Sequence, residues 1–335
     1  MSSINTKDVI KRYSLPKKIK FCKKCTISNQ RPRITFDSSG VCSACNFAIY
    51  KRNEINWESR KKELLNLLDN HRKSDGSYDV IVPCSGGKDG SFVAHKLKHE
   101  YGMNPLCVTW APLASTELGK KNLNSFIQSG FNHIFGTPDP IVTKKLTQLS
   151  FREIGDPFQP FIYGQTNFPL TISVKFNIPL IFYGENGEVE YAGDPEAVDK
   201  PSISFLKDGK WTKSYLKGTP LDDLLEYAFN NKNYIEKDEI TKADLQFYKA
   251  PSVDEMVSKG IDRNYYFNYF EDWYPQENYY YCAENTGFTA NNERSEGTYS
   301  KYASLDDKTD GFHYFMRYIK FGLGRCVEDT AHEIR

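Results

Sequence analysis

Seven consecutive residues, Ser85-Gly86-Gly87-Lys88-Asp89-Gly90-Ser91, hold the side chains best suited to phosphate chemistry. Adjacent glycines let backbone N–H groups approach an anion, and a helix that starts at once adds a partial positive charge. The spacing excludes two common nucleotide loops. A Walker A loop needs glycine five residues before its Gly-Lys, where Val82 stands, and a dinucleotide loop needs G-x-G-x-x-G, whereas these glycines are 86, 87 and 90. A second group of chemically able residues is Cys22-Lys-Lys-Cys25 with Cys42-Ser-Ala-Cys45. Two C-x2-C pairs can close a thiolate tetrahedron around zinc with no position left for substrate, so this site is expected to be structural. A third is Gly184-Glu185-Asn186-Gly187, where Glu185, at a strand's carboxyl end beside the glycine-rich turn, is a candidate magnesium ligand.

The elements around these residues alternate. Residues 79–84 read as a buried strand, followed by the glycine-rich turn, a helix carrying Val93, Ala94 and Leu97, and a second strand at 106–110. That β-α-β unit puts the turn at the carboxyl end of a strand, where open α/β sheets bind ligands. Helices are expected at 117–129, 141–154 and 170–176, with strands at 131–135 and 179–183, so the sheet should be parallel and covered on both faces. From Asn56, a plausible N-cap, Leu64, Leu65, Leu67 and Leu68 mark an amphipathic helix. The chain therefore divides into a zinc-binding module at 1–50, a linker helix at 51–76, a nucleotide-binding domain at 77–225 and a substrate or interface region at 226–335.

Lysine plus arginine (44) against aspartate plus glutamate (43) leaves +1, so no bulk charge calls for nucleic acid or an anionic membrane. The basic stretch 1–24 reads as a solvated tail or a docking surface for an acidic partner or RNA. No apolar run reaches bilayer length and the start has no signal-peptide core, which points to a soluble, cytoplasmic chain with reduced thiols. Cys84 and Cys107 lie in apolar strands and read as small buried hydrophobes. The chain opens Met1-Ser2-Ser3 and contains no G-x-C-x-G elbow, so it shows no glutaminase nucleophile of its own. Ten of the 21 residues from 261 to 281 are aromatic, but they are interleaved with acids rather than cations. Core, interface or sugar contact suits them better than base stacking. Tyr299, Lys301, Lys308 and Arg325 supply groups suited to a carboxylate or phosphate, or to a surface ion-pair network.

Ser-Gly-Gly-x-Asp resembles the pyrophosphate loop of the PP-loop ATP pyrophosphatases. Further stretches extend the likeness: Arg31-Pro32-Arg33 between the cysteine pairs, Val108-Thr-Trp-Ala-Pro112, Thr116-Glu-Leu-Gly119, Gly184-Glu-Asn-Gly187, Gly297-Thr-Tyr-Ser-Lys-Tyr302, Asp306-Asp307-Lys308 and Lys320-Phe-Gly322. Together they resemble the N-acetyl sugar amidotransferases, which make acetamidino sugars for bacterial surface polysaccharides such as lipopolysaccharide O-antigen and for flagellar glycans. The resemblance implies an α/β, adenine nucleotide alpha-hydrolase-like fold: a doubly wound parallel sheet with an amino-terminal four-cysteine zinc module and a carboxyl-terminal aromatic-rich helical region. It implies ATP held by Ser85, Gly86, Gly87, Lys88, Asp89, Gly90 and Ser91, with Thr109, Trp110 and Gly184 nearby. Magnesium would sit on Asp89 and Glu185, Lys88, Asp89 and Glu185 would be catalytic, and Glu185, Asn186, Tyr299, Lys301 and Arg325 would meet the substrate. That substrate would be a nucleotide-activated N-acetyl sugar. The ammonia would come from a partner like the glutaminase and cyclase subunits of imidazole glycerol phosphate synthase. Gly90 stands where many PP-loop proteins carry serine, with Ser91 one place later. The competing reading is a PP-loop tRNA thiolase, which would adenylate a base carbonyl and use cysteines near the loop.

Overall fold

The computed structural model of the protein describes residues 16–207, 210–211, 221–230 and 240–335. The first 15 residues of the basic stretch 1–24 lie outside the described residues. The cysteine pairs lead into helix α1 (Ser43–Asn53), and α2 (Trp57–His71) follows. Asn56 caps α2 by accepting from the Ser59 N–H at 2.9 Å. The apolar stripe of α2 is narrower than its leucines suggest. Leu64 and Leu68, one turn apart, are fully buried, whereas Leu65 is 40% exposed.

Strand β1 (Val80–Pro83), helix α3 (Lys88–His99), strand β2 (Pro105–Trp110), helix α4 (Glu117–Gln128) and strand β3 (Asn132–Gly136) form the expected alternation. Thr116 caps α4 through the Gly119 N–H at 2.9 Å. Both strand pairs are parallel, in the order β1-β2-β3. Helix α5 (Pro140–Ile154) ends at Gly155, whose φ of +63° supplies the left-handed cap.

Helix α6 (Gln159–Phe176) corrects the expected span of 170–176. Pro160, Gly164 and Pro169 suggest loop chemistry over 156–169, but Pro160 sits in the first turn, where a missing N–H costs nothing. Pro169 frees the Gln165 carbonyl, which accepts from the Tyr183 hydroxyl at 3.4 Å. Gly164 makes room for the Trp110 ring, so tertiary packing overrides local propensity here.

The strand expected at 179–183 is shorter as a ladder, β4 (Phe182–Tyr183). The residues before it lie beside β1: the Ile81 N–H donates to Leu180 O at 2.9 Å, and Ile81 bridges Ile181 in parallel. Helix α7 (Gly187–Glu190), strand β5 (Ser202–Ser204) and a small hairpin, β6 (Leu206–Lys207) with β7 (Lys210–Trp211), come next. Helices α8 (Leu221–Asn230) and α9 (Val253–Ser258) lead to strand β8 (Arg263–Tyr266). β8 pairs in parallel with β4 and antiparallel with β5. Two three-stranded sheets, β1-β2-β3 and β4-β8-β5, thus meet at the bridge between Ile81 and Ile181, and every strand pair in them is parallel except β5 with β8.

Alternate residues of β1 enter different cores, as the two-residue period of a strand requires. Ile81 joins Leu106, Val108 and Trp110 in one cluster with Leu146 of α5 and Leu170 of α6. Val80 and Val82 join Leu64 of α2, Val93 and Leu97 of α3, and Phe267, Phe270 and Trp273 in the other. The aromatic segment therefore contributes to the core, through β8, α10 (Phe267–Phe270) and the approach to α11 (Pro275–Asn285). Two last helices, α12 (Asp310–Phe321) and α13 (Arg325–Ile334), return towards the cysteine pairs. Leu323 and Ala331 pack with Cys22, Cys25, Cys42 and Cys45. No described helix is long and apolar enough to cross a membrane.

Candidate active site

Helix α3 begins in the glycine-rich turn, with Gly87 as its N-cap in extended conformation and no side chain capping the helix. The first N–H groups of α3 are therefore available to an anion, backed by the helix dipole. Gly86 has φ +82°, and a Cβ there would lie 2.5 Å from the backbone of Leu123 in α4. A Cβ on Gly90 would lie 2.8 Å from Pro83 O and 2.9 Å from Cys84 Cα. Gly90 thus lets α3 close onto the end of β1, and the serine of related loops has no room at this place.

The turn opens into a cavity of about 910 Å³. Ser85, Gly86, Gly87, Lys88, Asp89, Glu185, Tyr299 and Arg325 are among its lining residues. Other residues expected there are absent from the lining. Gly90 lies beneath the turn, and Ser91 is fully buried with its hydroxyl 3.5 Å from Cys84 Sγ. Trp110 is 4% exposed and packs against Phe168 and Tyr248 in the core, outside the cavity lining. Thr109 is buried, its hydroxyl donating to Cys84 O and lying 2.7 Å from His133 Nε2. A Cβ on Gly184 would meet Trp273 at 2.9 Å. Asn186 is buried as the cap of α7, accepting from the Glu188 N–H at 3.1 Å. Lys301 is exposed and donates to Asn292 O at 2.9 Å.

The charges at the turn are closely coupled. Lys88 Nζ lies 2.5 Å from Asp89 Oδ2, and Asn278 Nδ2 donates to Asp89 Oδ1 at 3.4 Å. Burial pulls the Lys88 ammonium down, but Asp89 and then Glu185 more than offset this, so its pKa is raised. Burial first, and the Asp89 carboxylate second, push Glu185 up to about 8. Glu185 and Asp89 together offer two hard oxygens where triphosphate charge would accumulate, a donor set that fits magnesium sharing its shell with phosphate oxygens. Beneath Ser85 lies Asp306, whose pKa is raised by burial against a hydrogen bond from the Ser85 side chain.

The segment 305–308 is clamped to α4. Thr116 Oγ1 donates to Leu305 O, and the Leu113 and Ala114 N–H groups donate to Asp307 at 2.5 and 3.1 Å. A Cβ on Gly119 would lie 2.5 Å from Asp306 Cα. The two stretches Thr116–Gly119 and Asp306–Lys308, far apart in sequence, thus form one support under the phosphate turn.

The thiols near the turn are buried. Burial pushes Cys84 up to about 11 and raises Cys107 and Cys282, and Cys282 donates to Lys88 O at 3.1 Å. None of these is a thiolate nucleophile at neutral pH.

The rest of the cavity wall comes from residues that periodicity and spacing did not single out for a site. Arg31 and Arg33 stand on the module that carries the cysteine pairs, Asp156 lies between α5 and α6, and His313, Arg317 and Lys320 line one face of α12. The i, i+4, i+7 spacing of His313, Arg317 and Lys320 was the available signal. Arg31 Nε pairs with Glu328 Oε1 at 3.1 Å, and Arg317 pairs with the other oxygen of Glu328. Arg33 pairs with Glu188 at 2.8 Å. His313 and Lys320 approach Asp156 at 3.0 and 3.7 Å. His332 also lines the cavity and is pulled down to about 4 by burial and then by Arg335, so it is neutral.

The four cysteines bring their sulfurs within 4.8 Å of one another, all buried. Cys22 and Cys45 sulfurs are 3.9 Å apart, and those of Cys25 and Cys42 are 3.6 Å apart. A tetrahedron with ~2.3 Å bonds has ligands about 3.8 Å apart, so the set fits zinc. The Lys24 and Cys42 N–H groups each donate to Cys22 Sγ at 3.3 Å, the kind of outer-shell contact that orients a thiolate ligand.

No family model matches the chain. A protein of Methanocaldococcus jannaschii known only as uncharacterized is 34% identical over 89 residues, which are 25% of this chain and 31% of that protein. The match therefore spans about a third of that relative's length. Among solved structures, the NMN synthetase from Francisella tularensis is similar over 60% of this chain and 78% of that one, with 14% sequence identity and a TM-score of 0.30. A likeness at that score assigns no residue and no activity.

Proposed function

We propose that the protein is an ATP-dependent amidotransferase of the PP-loop type, built on a doubly wound sheet, that converts the N-acetyl group of a nucleotide-activated sugar into an acetamidino group. The observation that carries this reading is the uncapped turn Ser85–Asp89, which opens into a cavity of about 910 Å³ with Glu185 beside Asp89. The first α3 N–H groups and Lys88 would bind the β- and γ-phosphates, leaving the α-phosphorus facing the cavity. Magnesium held by Asp89 and Glu185 would neutralise phosphate charge. The acetamido oxygen would attack the α-phosphorus, forming an O–P bond and releasing pyrophosphate. Ammonia would then add to the activated carbon, and its C–O bond would break to release AMP and leave the amidine. The chain's task is positioning and charge neutralisation, with no nucleophilic side chain required.

Zinc on the four cysteines would hold the amino-terminal module folded, and a glutaminase partner would supply the ammonia. The thiolase alternative needs reactive sulfur near the loop, and the buried, protonated Cys84, Cys107 and Cys282 weigh against it.

Purified protein given ATP, Mg²⁺, ammonium and nucleotide-linked N-acetyl sugars should release AMP and pyrophosphate together. Mass spectrometry should find a product lighter by the difference between an oxygen and an NH group. Asp89→Asn should lower that turnover by about 10²–10³-fold, the scale of losing one preorganised charge-stabilising group. Turnover driven instead by tRNA and a sulfur donor would replace this reading with the thiolase.

A further inference from the structure

We propose that the rest of the cavity wall carries a second anion site, formed by Arg31, Arg317 and Lys320, that grips the phosphate or diphosphate linker of the acceptor sugar. The proposal rests on the adenylylating function above and identifies which end of the cavity takes which substrate.

Charge distribution separates the two ends. At the turn, Lys88 lies against Asp89 and Glu185, and Asp306 lines the same cavity, an acidic set suited to a divalent cation and its triphosphate. Along the rest of the lining, Arg31, Arg33, Arg317, Lys320 and Arg325 are matched in number by Glu188, Glu328, Asp156, Asp329 and Glu333, so what sets this part apart is how its guanidiniums are clustered. The decisive group is Glu328. Among the described residues, the ion pairs of Arg31 and Arg317 both end on this one carboxylate, and their side chains are only 11% and 22% exposed. Two guanidiniums removed from most of their water and sharing one negative charge leave a positive charge uncompensated, which is costly unless a ligand anion completes the set.

Chemistry narrows the ligand. A ligand carboxylate offers two oxygens and a phosphate linker offers more, and two guanidiniums plus a lysine on separate elements match the larger set. The cavity also lies near the top of the roughly 300–1,000 Å³ range of small-molecule sites, so it has room for ATP and an acceptor. Arg31 stands between the two cysteine pairs, so the metal module supplies a substrate wall as well as a folded appendage.

The test separates this proposal from the function on which it rests. The phosphate turn is first saturated with Mg²⁺ and a non-hydrolysable ATP analogue. Calorimetry then follows titration of UDP-, GDP- and CMP-linked N-acetyl sugars, free N-acetylglucosamine, and an N-acetyl sugar acid without phosphate. At least one phosphate-linked sugar should bind, and the two phosphate-free ligands should not. Arg317→Ala and Lys320→Ala should each weaken that binding on the order of tenfold while the ATP analogue binds as before. Arg317→Lys should recover only part of the loss, because lysine lacks the planar fork. Lys320 is a third exposed, so its truncation keeps the test valid should Arg317→Ala reduce the melting temperature. Binding of no phosphate-linked sugar, unchanged affinity in a folded variant, or equal binding of the sugar acid overturns the proposal. Failure of the analogue itself to bind counts against the turn, and the sugar titration without analogue still reads the second site.

Discussion

The two ends of the cavity are built in different ways. At the phosphate end, Ser85 to Asp89 come from a single strand-to-helix junction, and their neighbours fix them by contact with backbone at Leu123, Pro83 and Asp306. At the other end, Arg31 meets Glu328 across 297 residues of sequence, and Arg317 and Lys320 arrive on a separate helix. The first end is a local motif that a sheet presents. The second exists only once the cysteine module, α12 and α13 have assembled. Under the proposed function the contrast has a rationale: a triphosphate has one shape and would suit a fixed cradle, whereas a wall drawn from separate segments could differ between acceptors without disturbing that cradle.

Metal removal should break the comparison most severely. Structural zinc in small modules carries about 10–16 kcal/mol of apparent folding free energy. Chelation should therefore unfold residues 21–45, detach Arg31 from Glu328 and abolish acceptor binding, while the ATP analogue still binds at the turn. Limited proteolysis with calorimetry on the same sample reads both ends. Loss of analogue binding in step with the module would show that the two ends are one cooperative unit.

Next in size is the cradle itself. Gly86→Ala places a Cβ 2.5 Å from the Leu123 backbone at φ +82°, and no flexible side chain can yield there. A cost of about 1–3 kcal/mol from the backbone conformation, with overpacking of about 1–3 kcal/mol added, is expected in denaturant titrations. ATP-analogue affinity should fall with it, whereas the zinc content should stay constant. A variant as stable as the parent would mean that the turn is not wedged against α4.

How much was legible in the sequence follows from the same contrast. The β-α-β unit, the helix cap at Asn56, the cysteine pairs and the turn could all be read, because each rests on a local pattern: an apolar period, one capping residue, two identical C-x2-C spacings, or adjacent glycines. Trp110 could not be placed, because a tryptophan ending a strand looks the same whether it faces a nucleotide or the core. Only the gap at Gly164 in α6 decides it. α6 itself was hidden by prolines whose costs are absorbed by the helix start and by Tyr183. Ser91 follows the glycine where a phosphate-binding serine is common, yet helical rotation turns it under the turn towards Cys84. The second site gave only the spacing of His313, Arg317 and Lys320, and a cationic helix face is as often solvated as functional.

A smaller effect concerns Glu185 and pH. Its pKa in the folded protein is raised to about 8 from an ordinary 4.5, chiefly by burial and then by Asp89. A carboxyl shifted upward contributes stability that is fully present below its unfolded pKa and is lost as pH rises towards the folded value. The metal-free protein should therefore lose stability between about pH 4.5 and 8 through this group. Glu185→Gln should melt higher than the parent, by a margin that widens over that window. Added Mg²⁺ should reverse the order, because only the carboxylate profits from the cation. A margin that stays constant with pH would detach Glu185 from the charge cluster at the turn.

The smallest expected effect tests where the acceptor wall stops. The charge of Lys301 suits a carboxylate or phosphate, and the resemblance implies a substrate contact there, but its ammonium reaches Asn292 O at 2.9 Å on the exposed side of the loop, outside the cavity lining. Tyr299, two residues earlier, does line the cavity, and so do Ser300 and Tyr302 on either side of Lys301. Lys301→Ala removes one exposed hydrogen bond, and surface changes of this kind stay within about ±0.5 kcal/mol. kcat/KM for the acceptor should then stay within about twofold of the parent, since about 0.5 kcal/mol is a little over a factor of two. Steady-state kinetics at saturating ATP reads this directly. A tenfold rise in KM would extend the cationic wall to this loop, and the separation of a triphosphate end from an acceptor end would then need a boundary drawn through residues 299–302 rather than at α12.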